Sequence, residues 1–69
     1  MNNEWISIKD GLPYELEEVL VTTYDRQIHI GYRNDKRWFL EGAITWTSEE
    51  NIIAWMRLPE FYSGEWKWK

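Results

Sequence analysis

One histidine and two groups of carboxylates are the side chains of this chain best suited to catalysis or metal binding. His29 is the only histidine, and there is no cysteine. General acid–base catalysis needs such a group within reach of a nucleophile or a second acid, and a structural zinc site needs several His or Cys ligands. No motif supplies such companions. We therefore predict that His29 is exposed on the polar face of a strand, and that the chain is not an enzyme and binds no metal or cofactor.

The carboxylates lie in polar connecting segments, at 15–18 and at 49–50. Neither group has the spacing of a calcium-binding loop, in which oxygen ligands recur at alternate positions. We predict that these carboxylates are solvated.

The stretch 26–40 carries four basic residues and one acidic residue, in a chain whose net charge is −4. It also contains aromatic residues, and Tyr, Trp and Arg are the types that anchor most protein interfaces. We predict an exposed aromatic-basic binding surface formed by Tyr32, Arg33, Arg37 and Trp38. In the alternative, Trp38 belongs to the core and the charges form its solvated rim, and the sequence does not decide between the two.

The net charge of −4 also bears on the class of partner. An acidic chain has little general affinity for nucleic acid or for an anionic membrane, because both are negatively charged. We therefore predict a small non-catalytic binding protein with a protein partner. The alternative is a binder of single-stranded nucleic acid or of a small ligand, in which Tyr32 and Trp38 stack and the basic residues contact phosphate.

The length of 69 residues allows one domain, 1–69. A domain this small is marginally stable without disulfides, so the six Trp, four Tyr and two Phe are expected to supply much of the core. Trp55 lies in the densest apolar run, and we predict that it is buried. The segment 64–69 is a possible peripheral tail, because terminal segments fray unless they are tied down.

No stretch of the sequence reaches the roughly 20 apolar residues of a membrane span. The start, 1–4, lacks the basic and apolar regions of a signal peptide. The absence of cysteine suits a reducing compartment. Together these features predict a soluble, cytoplasmic protein.

Short apolar stretches separated by turn residues predict a mainly β fold. Strands are expected at 5–8, 19–24, 27–32 and 37–40, where β-branched and aromatic residues are frequent. Short connections between the last three favour an antiparallel meander. We predict a small single-domain antiparallel sheet or partly open barrel of four to five strands, with at most one short helix.

Two later segments fit more than one structure. Residues 43–46 suit either a short strand or an extended loop. In 48–56, Ser48 suits a helix N-cap followed by Glu49 and Glu50 in the first turn, whereas the β-formers after them favour a strand.

Proline and glycine mark three further positions. At Leu12–Pro13 and Leu58–Pro59 we expect each leucine to enter the core and each proline to turn the chain outward. Gly31, inside a predicted strand, indicates a bulge or a close approach of another backbone.

Four motifs in order carry a family resemblance: Trp-Ile-Ser-Ile at 5–8, Asp-Gly-Leu-Pro at 10–13, Val-Leu-Val at 19–21 and Ile-Ala-Trp-Met-Arg-Leu-Pro at 53–59. Their arrangement resembles a family of small phage and prophage proteins catalogued as domain of unknown function 551. That family usually has His where this chain has Ala54, and often Pro where it has Arg57. The resemblance implies a strand at 52–56, no assigned reaction, and a phage or prophage accessory factor that contacts a host or phage protein in a bacterial cell.

Overall fold

The structure, a computed structural model, describes residues 4–43 and 46–59. Its elements are β1 Ile6–Ser7, β2 Val19–Thr23, β3 Ile28–Asn34, β4 Arg37–Leu40, β5 Thr47–Ser48, a 3₁₀ turn Glu49–Asn51 and β6 Ile52–Arg57. The predicted mainly β, antiparallel single domain is confirmed. There are six strands rather than four to five, because Thr47–Ser48 adds a two-residue edge strand that no sequence pattern indicated.

All six strands belong to one sheet with the order β1-β6-β2-β3-β4-β5. The predicted meander of β2, β3 and β4 is confirmed, and each neighbouring pair is antiparallel. β6 does not extend the meander at its far edge. It pairs with β1 on one side and β2 on the other, so it joins the two N-terminal strands.

The connection between β5 and β6 forces the sheet to curl. Only the turn Glu49–Asn51 separates the two strands in sequence, although three other strands lie between them in the sheet. Four residue steps span at most about 14 Å, whereas four strand spacings in a flat sheet need about 19 Å. The sheet is therefore bent toward the face that this turn crosses, as in a partly open barrel.

That concave inner face carries the core. Paired residues of neighbouring strands share a face, and so do residues two apart in one strand. By this rule Val21 and Trp55, which are paired, lie on the inner face. The buried core cluster is Val19, Val21, Trp38, Leu40, Ile52 and Trp55. The predicted burial of Trp55 is confirmed, since only 3% of it is exposed.

The segment 9–18 covers part of the inner face. The Trp55 indole Nε1 donates a hydrogen bond of 3.0 Å to the Gly11 carbonyl oxygen, which ties this segment to the core. Pro13 is buried and Leu12 is exposed. The expectation for this Leu-Pro step is wrong, because the proline ring and not the leucine side chain is buried.

β3 places its less apolar face inward. Ile28 is exposed, whereas His29 is half-buried and is paired with Val21 of the core. The prediction of an exposed histidine on a polar outer face is therefore wrong. The space above Gly31 is already filled, because a Cβ atom there would lie 2.3 Å from the Phe39 carbonyl oxygen and 2.8 Å from Leu40 Cδ2. The predicted close backbone approach at Gly31 is confirmed.

The segment 48–56 combines its two alternatives. It begins with the 3₁₀ turn and continues as β6 from Ile52. Ser48 is extended at the cap position, but its hydroxyl donates to the Glu50 carboxylate and makes no capping hydrogen bond with a backbone N–H of the turn. Of the segment 43–46, Ala43 and Trp46 lie outside any strand. Residues 44–45 and the predicted tail 64–69 fall outside the described part of the chain.

Candidate functional site

The four residues of the predicted aromatic-basic surface divide between the two faces of the sheet. Arg33 and Trp38 are cross-strand partners and lie on the inner face. Tyr32 and Arg37, each next to one of them in sequence, point to the outer face because side chains alternate along a strand. Trp38 is 0% exposed. The structure thus agrees with the alternative in which Trp38 is core, and one continuous surface of all four residues does not form.

Arg33 is held by two glutamates at the rim of the inner face. Its Nε and Nη2 donate to the two carboxylate oxygens of Glu49 at 3.0 and 3.2 Å, and Nη1 donates to Glu15 Oε2 at 3.0 Å. The hydrogen bonds to Glu49 raise the pKa of Arg33, the nearby carboxylate charges raise it further, and burial opposes them. The prediction that Glu15 and Glu49 are simply solvated is therefore wrong. They join segment 9–18 and the 3₁₀ turn to β3.

The outer face carries a cluster of three aromatic rings. The centroid of Tyr32 lies 5.3 Å from that of Phe39 and 5.7 Å from that of Trp46, and Phe39 and Trp46 are 5.6 Å apart. The Arg37 guanidinium carbon lies 5.4 Å from the Trp46 ring centroid. We call Tyr32, Phe39, Trp46 and Arg37 the outer cluster. Edge-to-face ring packing and a cation over a ring both stabilise it.

An apolar row continues the outer cluster across the sheet. Leu20 is paired with Ile30 on one side and with Met56 on the other, and all three are half-buried. Within the described ranges, both segments that cross the sheet, 9–18 and 49–51, contact the inner face. The outer face therefore presents aliphatic side chains beside rings and one guanidinium.

A family of proteins of unknown function, DUF551, matches residues 4–60. This chain belongs to the DUF551 family. The resemblance inferred from the four motifs is confirmed, and no curated protein and no solved structure matches the chain. Because the family description names no activity, the function of this DUF551 domain has to be argued from its surfaces.

Two further observations describe the DUF551 domain. In residues 4–43 and 46–59, no three His, Cys, Asp or Glu side chains are grouped so that they could hold a metal ion. The same residues contain no helix with the length and apolar character needed to cross a membrane.

Sequence reasoning missed half of the outer cluster of this DUF551 domain. Phe39 could have been found, because a two-residue turn at 35–36 pairs Asn34 with Arg37 and hence Tyr32 with Phe39. Trp46 gave no such signal, since it lies in a segment whose structure the sequence left open.

Proposed function

We propose that this domain is a small protein-binding module, an accessory factor of a phage or prophage that contacts a host or phage protein through its outer face. The outer cluster is the observation that carries the proposal. Tyr, Trp and Arg are enriched among the residues that dominate binding energies, because they combine large apolar area with a polar or charged end. The outer cluster holds all three types on strands or next to one, because the Trp46 ring centroid lies 5.7 Å from that of Tyr32 and 5.4 Å from the Arg37 guanidinium carbon.

The charges near the outer cluster favour a partner segment that combines aliphatic and acidic side chains. Arg33 is neutralised by its two glutamates, and Arg57 is paired with Glu17 at 3.2 Å. Arg37 is exposed and contacts only a ring among the described residues, and Lys36 beside it is also exposed. In a chain of net charge −4, these two cations attract a carboxylate to the edge of the apolar row.

Nucleic acid is the weaker candidate for the same face. A single-stranded binder needs several exposed cations along a groove lined by stacking rings. Arg33, one of the cations expected to contact phosphate, is bonded to carboxylates, and Trp38, one of the expected stacking rings, is buried. A protein partner needs fewer charges and uses the aliphatic row as well.

The test begins with capture of binding proteins from host lysate and continues with purified components. The captured protein is identified and prepared by itself, and its Kd is measured by calorimetry. We expect Arg37→Glu and Trp46→Ala each to weaken binding at least about tenfold, which corresponds to about 1.4 kcal/mol. Arg33 is left unchanged, because reversing its charge would break the contacts with Glu15 and Glu49 and confuse binding with folding.

The matched control is Lys9→Glu, which makes the same charge change at an exposed residue in segment 9–18. It should leave Kd within twofold of the wild-type value. Equal weakening of partner binding by Lys9→Glu would indicate that only the net charge matters. If neither Arg37→Glu nor Trp46→Ala weakens binding, the partner does not bind at the outer cluster. A fluorescent single-stranded oligonucleotide is titrated at low and high salt in parallel. Steeply salt-dependent binding that Arg37→Glu abolishes would replace the proposal with the nucleic-acid alternative.

A further inference from the structure

A cavity lies on the inner face at the end of the sheet opposite the Arg33 salt bridges. Its volume is about 460 Å³, and its walls include Thr23, Asp25, His29, Leu40, Trp46 and Asn51. β3 runs from His29 at this end to Arg33 at the other, so the two glutamate contacts close one end of the curled sheet and leave this one open. Ligand sites of about 300–1,000 Å³ commonly occupy the mouths of β-barrels, and this cavity has that position and size.

The carboxylate of Asp25 is held in place at the rim of the cavity. The Thr23 hydroxyl accepts a hydrogen bond of 3.2 Å from the Gln27 backbone N–H and donates to Asp25 Oδ1. Thr23 itself is only 7% exposed, and the Gln27 carbonyl oxygen, 3.3 Å from its hydroxyl, is a second and longer acceptor contact. Asp25 is exposed, and its second carboxylate oxygen accepts no hydrogen bond from the described residues. It is therefore a preorganised acceptor facing an open cavity.

The other walls favour a ligand with an apolar body and a hydrogen-bond donor at one end. Leu40 and Trp46 supply apolar and aromatic surface. Asn51 uses its amide N–H on the Thr47 hydroxyl at 3.0 Å, which leaves its amide oxygen as an acceptor. Among the described residues that line the cavity none is a Lys or an Arg. Arg26, next to Asp25 in the same turn, is not part of the lining.

We propose that this cavity is a binding site for a small primary amine with an aromatic or aliphatic body, whose ammonium group is bound by Asp25. The ammonium donates to the free oxygen of Asp25, and the body of the ligand packs against Leu40 and the Trp46 ring. An ammonium near an aromatic ring is further stabilised by the ring quadrupole. The net charge of −4 attracts such a cation from a distance. The site shares Trp46 with the outer cluster, but Asp25, which binds the ammonium group, is not part of that cluster.

The probe for this site is phenethylamine, titrated into the full chain and followed by ¹H–¹⁵N NMR. The neutral isostere 2-phenylethanol and the anion phenylacetate are titrated under the same conditions. We expect saturable shifts for phenethylamine at Thr23, Asp25, His29 and Asn51, with about tenfold weaker binding of the alcohol and none of the anion. This comparison uses the wild-type chain alone, so it does not depend on any variant folding.

The matched variants are Asp25→Asn and Asp35→Asn. Asp25→Asn keeps the size of the side chain and an acceptor for the Thr23 hydroxyl, and it should weaken phenethylamine about tenfold without changing the alcohol. Asp35→Asn removes the same charge at the opposite end of β3 and should leave both unchanged. Equal affinity for amine and alcohol, or unchanged amine binding by Asp25→Asn, would overturn the proposal.

Discussion

The two faces of this sheet carry similar types of side chain, but these side chains are buried on the inner face and partly exposed on the outer face. The inner face buries Trp38 and Trp55, which are 0% and 3% exposed. The outer face holds three rings that contact one another and remain half-buried. Even the arginines differ in the same way, since Arg33 is bonded to carboxylates on the inner side and Arg37 lies over a ring on the outer side.

The difference shows that residue type does not decide which face becomes the core. In the β3–β4 hairpin, each inner residue stands beside an outer one in sequence. The inner side of β3 is poorer in apolar groups than the outer side, yet it faces the core because the curl of the sheet and two covering segments lie on that side. Faces are thus assigned by topology, and the following variants test whether the assignment is correct.

Trp55→Ala should have the largest effect on stability. Removing a buried aromatic side chain costs about 3–5 kcal/mol, which is similar to the whole stability of a domain this small. The variant also loses the hydrogen bond to the Gly11 carbonyl. We expect no cooperative thermal transition by circular dichroism, whereas Trp46→Ala should retain one. If Trp46→Ala unfolds equally, the outer cluster is a second core and the comparison of the faces fails.

Gly31→Ala should follow in size, because the added methyl group collides with the Phe39 backbone and the Leu40 side chain. Overpacking of this kind costs about 1–3 kcal/mol. The control is Gly11→Ala, where an added Cβ would meet no atom within 4 Å. Urea denaturation should show a lower midpoint for Gly31→Ala than for the wild-type chain. The midpoint of Gly11→Ala should be close to the wild-type value. Equal midpoints would mean that β3 and β4 can move apart without cost, contrary to the close approach of the Phe39 backbone to Gly31.

Arg33→Met should destabilise the domain and Arg37→Met should not. Arg33, with 13% of its side chain exposed, makes three hydrogen bonds to carboxylates. Glu15 is 52% exposed, so solvent screening reduces its share and we expect a total loss of about 1–2 kcal/mol. Substitutions at exposed positions without such contacts usually change stability by less than about 0.5 kcal/mol. Chemical denaturation of both variants measures the difference. If both variants lose a similar free energy of unfolding, Arg33 on the inner face does not stabilise the fold more than Arg37 on the outer face does.

Lys36→Gly should have the smallest effect and raise stability. Asp35 and Lys36 have φ angles of 54° and 69°, the left-handed pair of a two-residue type I′ hairpin turn. Glycine adopts this conformation without the steric cost of a side chain, so a gain of about 0.5–1 kcal/mol is expected. Lys9→Gly, at a residue without a positive φ, should give no gain. A loss at Lys36 would indicate that its side chain, not its backbone, supports the hairpin.

Much of the fold could be predicted from the sequence, because strands β2 to β4 are short, rich in β-formers and separated by clear turn residues. The site was harder. Tyr32 and Arg37 lie on the outer face, but the predicted surface includes Trp38 as well, although a residue next to Arg37 in a strand must point the other way. The sequence predicts an outward His29 because Ile28, Ile30 and Tyr32 form the more apolar side. The pattern of residues within β3 could not reveal that the covering segments 9–18 and 49–51 lie on the side of His29.

The place of β6 between β1 and β2 has a consequence for how the protein is made. During synthesis the ribosome delivers β1 to β5 first, and the two strands that β6 joins have no partner on that side until Arg57 has emerged. Translation at about 5–20 residues per second leaves the unpaired edge of β2 open for an interval that is long compared with strand pairing. Open edges of this kind recruit other chains. The nascent protein is therefore most exposed to aggregation just before β6 emerges, and the pairing of β1 and β2 into one sheet waits for that strand.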